Sequence, residues 1–317
     1  MIVSFSELFN AYTKCKKNKA NTINAIRFQT DLITNLWELY YEINYKTYEP
    51  KKYICFLVQS PKLREVFASD FRDRVVHHLL VNDLEPLFEL IFIHDSYSCR
   101  KNKGTHKAVK RVQQFSRKRD NTFYMQLDIK NFFLSIDKNI LYKKVPHHKS
   151  LLYTVSSKGL PIGNLTSQFF ANVYLDILDN FLKRELKVKS YVRYVDDFVL
   201  FSSSKEQLLK QKKLIEQFLE KKLSLQLRDD YKIAKVENGI DFLGYIIRPK
   251  YMLIRKRVVN NFKYKKMQFL KNEFDSNNSC SVESAKKFKQ MNASYYGHFK
   301  WADSYRLIQK YKMESWL

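Results

Sequence analysis

Tyr191-Val-Arg-Tyr-Val-Asp196-Asp-Phe-Val-Leu-Phe201 is the stretch from which the fold of this chain can be read. β-Branched and aromatic residues run up to Asp196-Asp197 and away from it again, the pattern of a β-hairpin with both carboxylates at its tip. Adjacent carboxylates repel, and each disfavours ionisation of the other unless a cation sits between them. Such a pair on rigid strands is therefore a platform for a divalent metal. A polar two-residue turn is the plain alternative, because Asp is a common turn former. A third carboxylate and a nucleic-acid groove elsewhere in the chain would decide between the two.

The 317 residues suffice for one large domain, or two to three small ones, with a buried core. Lys and Arg number 57 against 32 Asp and Glu, and the net charge of +25 calls for a polyanionic partner. Nucleic acid fits better than a membrane surface. The chain has no apolar run of about 18 residues, no signal-peptide pattern and no isolated basic amphipathic segment. Cys15, Cys55, Cys99 and Cys280 are far apart and include no Cys-x-x-Cys pair, which indicates neither a zinc site nor a disulfide framework and points to a reducing cytoplasm. Six Gly and six Pro argue against long flexible linkers.

Ahead of the hairpin, apolar residues recur at helical spacing through Ile26, Leu32, Ile33, Leu36, Leu39 and Tyr40 until Pro50 interrupts them, which predicts an N-terminal helical layer. Tyr53 to Val58 and Pro61 to Phe67 read as short strands. Ser69-Asp70 reads as the cap of a helix running through Arg72, Arg74, His77 and His78 to Leu87. Arg72 and Arg74 fit a ligand-facing or a solvated face equally. His77-His78 and His147-His148 read as packing or surface residues, with no His or Cys partner at ligand spacing. The basic loop Cys99-Arg-Lys-Asn-Lys-Gly-Thr-His106 ends in Thr105 as an N-cap. The next helix sets Lys103, Lys107 and Arg111 on one row and Ala108, Val112 and Phe115 toward a core. Cations in a row beside a helix N-terminus suit a phosphate track, with a merely soluble face as the alternative.

Phe123 to Leu127 predicts a strand ending at Asp128, an unusual place for an acid unless something satisfies it; a metal shared with Asp196 would. Phe132 and Phe133 follow. An aromatic ring beneath an incoming sugar leaves no room for a 2′-hydroxyl and selects deoxynucleotides, while two core aromatics are the plain reading. Gly159-Leu-Pro-Ile-Gly-Asn-Leu-Thr-Ser-Gln168 opens a long helix, capped by Thr166 or Ser167, with an apolar stripe of Phe169, Phe170, Val173, Tyr174, Ile177 and Leu178. Gly163, lacking a Cβ, lets a base or triphosphate approach the backbone. Lys205 to Leu223 reads as an exposed basic helix. Phe242-Leu-Gly-Tyr245 lies between Ile240 and Ile247 as a strand pair with a glycine where something comes close. From Met252 on, helical periodicity returns, and interleaved aromatic and basic residues from Ser294 to Arg306 suit a nucleic-acid backbone or stacked bases. A small helical packing domain reads equally well there.

Taken in order, Asp128-x-x-x-x-Phe133, Gly159-Leu-Pro-Ile-Gly-x-x-x-Ser-Gln168, Tyr194-Val-Asp-Asp197 and Phe242-Leu-Gly-Tyr245 resemble the palm motifs of reverse transcriptases, over about residues 50 to 310. The chain is most similar to bacterial enzymes of the diversity-generating retroelement type, through Ile162 to Gln168, Ser98 to His106 and Tyr296 to Leu307. The resemblance implies an α+β right-hand polymerase. Its N-terminal helical layer and fingers would span 1–120, a palm of antiparallel sheet packed on helices 121–250, and a short helical thumb 251–317.

It implies further that Asp128, Asp196 and Asp197, together with Ile129, hold two Mg²⁺, for which Mn²⁺ can substitute. Arg72, Arg74, Arg100 and Lys103 become candidates for the triphosphate, with Ile162, Gly163 and Gln168 beside the nucleotide and Phe133 at the steric-gate position. Phe242, Leu243, Gly244 and Tyr245 resemble the primer grip. Lys232 or Arg228 stands for the acid that protonates pyrophosphate. Lys107, Arg111, Tyr295, His298, Lys300 and Arg306 are expected along the nucleic acid. Ile162 stands where retroviral relatives carry Gln and can donate no hydrogen bond, which implies relaxed fidelity. Ile162-Gly163 and Ser167-Gln168 replace the Gln-Gly and Ser-Pro of group II intron and retroviral enzymes, which argues against a maturase. The tail after Tyr245 is short for an RNase H or endonuclease domain.

The expected function is RNA-directed DNA synthesis for a bacterial or phage retroelement in the cytoplasm, from a dedicated non-coding template RNA, a DNA or RNA primer and dNTPs, with an accessory protein. The same chemistry in antiviral defence, with the cDNA as effector, is one alternative, and a catalytically idle RNA-binding module another. Three intact, mutually repelling acids weigh against the idle module.

Overall fold

The computed structural model describes residues 2–17, 19–59, 63–146, 158–273 and 281–314. His147-His148 and Cys280 lie outside the described residues. Three helices come first, α1 (Phe5–Lys16), α2 (Ile23–Thr30) and α3 (Leu32–Asn44). Ser4 and Glu7 start α1 with a reciprocal capping box, which satisfies two of the N–H groups a helix start leaves unpaired. Next come an antiparallel hairpin, β1 (Ile54–Val58) with β2 (Arg64–Ala68), and the long helix α4 (Phe71–Ile91), capped by Asp70. Helix α5 (Thr105–Ser116) leads to β3 (Phe123–Asp128), α6 (Phe132–Ser135), α7 (Lys138–Lys144) and α8 (Leu165–Asn180). Strands β4 (Tyr191–Tyr194) and β5 (Asp197–Ser202) precede α9 (Lys205–Leu223) and β6 (Lys232–Lys235). The chain closes with β7 (Ile240–Phe242), β8 (Tyr245–Ile247), β9 (Met252–Ile254), α10 (Lys256–Glu273), α11 (Val282–Phe299) and α12 (Tyr305–Lys310).

The central sheet has the order β4-β5-β3-β6 with antiparallel neighbours. Its strands are apolar on both faces because both are covered. Met125, Leu127, Tyr191, Phe198 and Leu200 pack in one core with α8 and α9. Tyr124, Val192, Val199 and Phe201, on the alternate positions, pack in a second core with α5, the β7-β8-β9 sheet and the C-terminal helices. The third core joins α1, α2 and α3 to the first half of α4. Among the described residues no helix is long and apolar enough to cross a membrane.

The expected helical layer is present, but Ile26 and Ile33 point to solvent. The run is broken at Asp31 into two helices, whose buried faces are set separately by Ala25 and Phe28 and by Leu36, Leu39 and Ile43. Two caps also move. Gly104, at φ +107°, precedes α5, and Thr105 is its first residue, its hydroxyl 3.0 Å from that of Tyr194. Asn164 precedes α8, while Thr166 and Ser167 lie buried in its first turn.

Candidate active site

Antiparallel register places Asp128, the last residue of β3, directly opposite Asp197, the first of β5. Tyr194 closes the hairpin against Asp197, so the turn is Val195-Asp196 and only Asp196 lies in it, whereas the sequence reading put both acids at the tip. Strand alternation puts Gln126, Asp128 and Asp197 on one face, and the Gln126 amide donates to both Asp197 oxygens at 3.1 and 3.3 Å. Burial pushes the Asp197 carboxyl up to about 7, helped by repulsion from Asp128 and Asp196 and opposed by the Gln126 hydrogen bond. Burial, with repulsion from Asp128, likewise pushes Asp196 up to about 6, against the pull of Arg64 and Arg193. Among the described residues, no three or more His, Cys, Asp or Glu side chains are gathered as a finished metal cage. The donor chemistry nonetheless fits a hard divalent cation, since these are carboxylate oxygens held on paired strands and a turn, and Asp196 and Asp197 are each harder to ionise for the carboxylates beside them. The Ile129 side chain is buried in the first core, so only its main chain is free to take part.

The arginines named from sequence are differently occupied. Arg100 is a structural clasp, with its side chain only 5% exposed. It donates to Glu89 at 2.8 and 2.9 Å and to the Ile93 carbonyl and Ser96 hydroxyl at 2.6 and 2.7 Å, which leaves little for a triphosphate. Arg72 is paired with Glu42 and lies over the Tyr48 ring, tying α4 to the N-terminal layer. Arg74 donates to the Ser69 carbonyl at 2.9 Å, and Lys103 to that of His94 at 2.6 Å. The expected cation row beside α5 is likewise drawn inward, Lys107 onto the Asn102 carbonyl at 2.6 Å and Arg111 onto Asp95 at 2.8 Å. Local carbonyls and a buried acid compete with any phosphate for these donors.

Arg64, exposed on β2, is the residue that the sequence reading missed: it is the arginine of the β1–β2 hairpin whose charge reaches Asp196. Its signal was an arginine opening a strand whose partner strand is apolar. Gln126 was missed too, having been read only as strand.

Phe132 is buried in the first core and Phe133 half-buried at its edge. Ile162 is half-buried, its carbonyl accepting from Phe67 N at 2.8 Å, and Gln168 is exposed. Gly163 sits at φ +114°, and a Cβ there would come 2.7 Å from Val66 Cγ1. The close approach expected of a base or triphosphate is therefore made, in this structure, by the β1–β2 hairpin. Arg228 donates to Asp230 at 2.8 Å through each of two nitrogens and lies 3.7 Å from Asp128. Asp230 holds its pKa above the ordinary value, a poor property for a proton donor. Lys232, exposed on β6, pairs with Gln126 across the sheet.

Phe242 and Tyr245 are buried and joined by a tight turn in which Leu243 and Gly244 both have positive φ. His298 explains that glycine, because its ring lies 3.1 Å from where a Cβ would stand. Tyr245 donates to the His298 carbonyl at 2.8 Å. Thr105, His106, Gly244, Tyr295 and His298 line a cleft of ≈680 Å³ between this turn, α5 and α11. His106 stacks on Trp301, a member of the aromatic and basic run from Ser294 to Arg306, at 4.5 Å. Lys300 and Arg306 are exposed.

Residues 50–247 match the family described as reverse transcriptase (RNA-dependent DNA polymerase), and the chain belongs to that family. Reverse transcriptases generally use divalent metals such as Mg²⁺. Among particular relatives, Protein YkfC of Escherichia coli K12 is 24% identical over 302 residues, covering 77% of this chain and 79% of YkfC. The group II intron-encoded protein LtrA of Lactococcus lactis subsp. cremoris is 24% identical over 272 residues, covering 60% of this chain and 45% of LtrA. Similar solved structures include telomerase from Candida albicans with a fragment of telomeric RNA, at TM-score 0.44 and 11% identity over 91% of this chain and 64% of that one. A foamy viral protease-reverse transcriptase with double-stranded DNA matches at TM-score 0.41 and 15% identity, over 76% and 35%. The chain spans less than two thirds of LtrA and of either solved chain. Its α+β architecture, an antiparallel sheet between helical layers, is consistent with a right-hand polymerase.

Proposed function

We propose that the chain copies an RNA template into DNA, with Asp128, Asp196 and Asp197 as the metal-holding acids. The observation that carries this reading is the register that sets Asp128 opposite Asp197 with Asp196 in the adjoining turn. When bound there, two Mg²⁺ ions would lower the pKa of the primer 3′-hydroxyl and neutralise charge on the triphosphate and the departing pyrophosphate. The chain's own residues orient the rest. Gln126 fixes the Asp197 carboxylate, and Arg64 supplies positive charge beside Asp196 from the β1–β2 hairpin. Phe133, at the core's edge, is the ring we assign to excluding a 2′-hydroxyl. Lys232, rather than the tightly held Arg228, is our candidate proton donor, and the Phe242–Tyr245 turn with the cleft beside it our candidate path for the primer strand.

In this reading residues 1–120 are fingers with a helical layer, 121–250 palm and 251–317 thumb. The setting we infer is a cytoplasmic retroelement enzyme of the diversity-generating type, with a dedicated non-coding RNA template and an accessory protein. Ile162 in place of Gln supports low fidelity, and equal misincorporation by wild type and Ile162→Gln would sink that part. The whole reading is tested by primer extension on an RNA template with Mg²⁺ and dNTPs. Synthesis by wild type, on generic RNA or with its native neighbouring RNA, and none by Asp196→Ala/Asp197→Ala is the expected result. Synthesis that survives the double substitution overturns the assignment.

A further inference from the structure

Arg193 and Asp179 are fully buried beneath the acid-bearing turn, on the face of the sheet that packs against α8. Nε and Nη2 of Arg193 donate to the two Asp179 oxygens at 2.8 and 2.6 Å. Nη1 donates to Asn172 Oδ1 and to the main-chain carbonyl of Val195, both at 3.1 Å. Tyr191 donates to Asp179 at 2.8 Å, and Asn172 to the Ser98 carbonyl at 2.8 Å. The Arg193 main chain is held as well, donating to the Asp95 carbonyl and accepting from Tyr97 N, each at 3.0 Å.

Stability alone does not account for this pair, because apolar side chains of similar volume often serve a buried site as well or better. What the fork holds besides Asp179 is more telling. Val195 sits at φ +57°, a conformation that a β-branched residue adopts only where its surroundings over-determine it. The carbonyl that Arg193 grips belongs to that residue, one peptide ahead of Asp196.

We propose that Arg193 is a positioning residue for the polymerase site: aimed by Asp179 and Asn172, it holds the strained Val195 carbonyl and thereby the direction in which Asp196 presents its carboxylate. The proposal rests on reading Asp196 as a metal-holding acid. Arg193 itself contacts Asp179, Asn172 and the turn.

Two variants separate positioning from packing. Asp179→Leu/Arg193→Met fills the site with apolar side chains and leaves no uncompensated charge. Arg193→Lys keeps a charge for Asp179 but lacks the planar fork that reaches Asp179, Asn172 and Val195 together. Each is compared with wild type and with Asp196→Ala in three ways. These are thermal unfolding, Mn²⁺ affinity from the electron paramagnetic resonance signal of the free ion, and primer extension with kcat and the dNTP KM separated. The proposal expects cooperative unfolding close to wild type, Mn²⁺ affinity weakened by about tenfold, and kcat lowered by about 10- to 100-fold with KM changed far less. Folded variants with wild-type Mn²⁺ affinity and kcat overturn it. So does loss of folding in both variants, which would assign the pair to the core alone. If wild type itself neither binds Mn²⁺ nor extends a primer, the failure lies with the reading of the acids, and the proposal falls with it.

Discussion

Two sets of carboxylates face away from each other across the same sheet. On the α8 side, Asp179 meets Arg193 in a fully buried, bidentate pair, so its countercharge is part of the chain. On the other side, Asp128, Asp196 and Asp197 stand at strand ends and a turn, and the latter two are driven toward protonation by burial and by neighbouring carboxylates, Asp128 first among them. One pair is matched charge for charge inside the core, whereas Asp196 and Asp197 keep raised pKa values despite Arg64, Arg193 and Arg255 nearby. An acid with a dedicated buried arginine serves the fold, whereas clustered acids with raised pKa values mark the place to test for function.

The comparison can be broken most forcefully at Asp197. Asp197→Asn should lower primer extension by about 10³-fold or more, the scale of losing a charge-stabilising ligand in the transition state. It should at the same time make the metal-free protein more stable above about pH 7, because one repelling charge is gone. Urea denaturation and an extension assay on the same sample check both halves. On the opposite face the same chemical change should do the reverse. Asp179→Asn strands a buried guanidinium and should cost about 3–5 kcal/mol, read from the denaturation midpoint. A stability change of the same sign at both positions would dissolve the distinction. The smallest effect is expected at Val195→Gly. Removing the side chain relieves a strained φ worth about 1–3 kcal/mol but adds backbone entropy to the unfolded chain, for a net gain of about 1 kcal/mol in the same denaturation experiment.

Much of the site could be read in the chain because its residues sit at element ends, where local pattern is strongest. Asp128 ends an apolar run, Asp196 and Asp197 interrupt another, and Leu243-Gly244 is a two-residue turn between β-branched strands. The long α8 was equally plain from its apolar spacing. Partnerships across sequence distance were not legible. Arg72 and Arg100 read as free cations because nothing nearby announces Glu42 or Glu89 as their partners. Gly163 read as a ligand's doorway because the pattern cannot show that Val66 closes on it. Arg193 carried a signal that went unread, an arginine inside an apolar strand, preceded by Asp176 and Asp179 one helical turn apart on a mostly buried helix. Charges in such places must be paired if they are to be buried at all.

Thermal unfolding across pH, with and without Mg²⁺, tests the central claim most directly when wild type is compared with Asp196→Asn/Asp197→Asn. In the folded protein the two carboxyls titrate near 6 and 7, above the unfolded value of about 4. The stability they contribute is therefore present below about pH 4 and lost as the pH rises toward 7. His77 and His78, pushed down to about 4 by burial, run the opposite way between about pH 4 and 6.5, and taking the difference between the two proteins cancels them. Wild type is expected to lose on the order of 5 °C relative to the variant between about pH 4.5 and 7.5, and Mg²⁺ to restore it at the upper pH in wild type alone. A difference that stays flat with pH, or an equal Mg²⁺ shift in the variant, would contradict it.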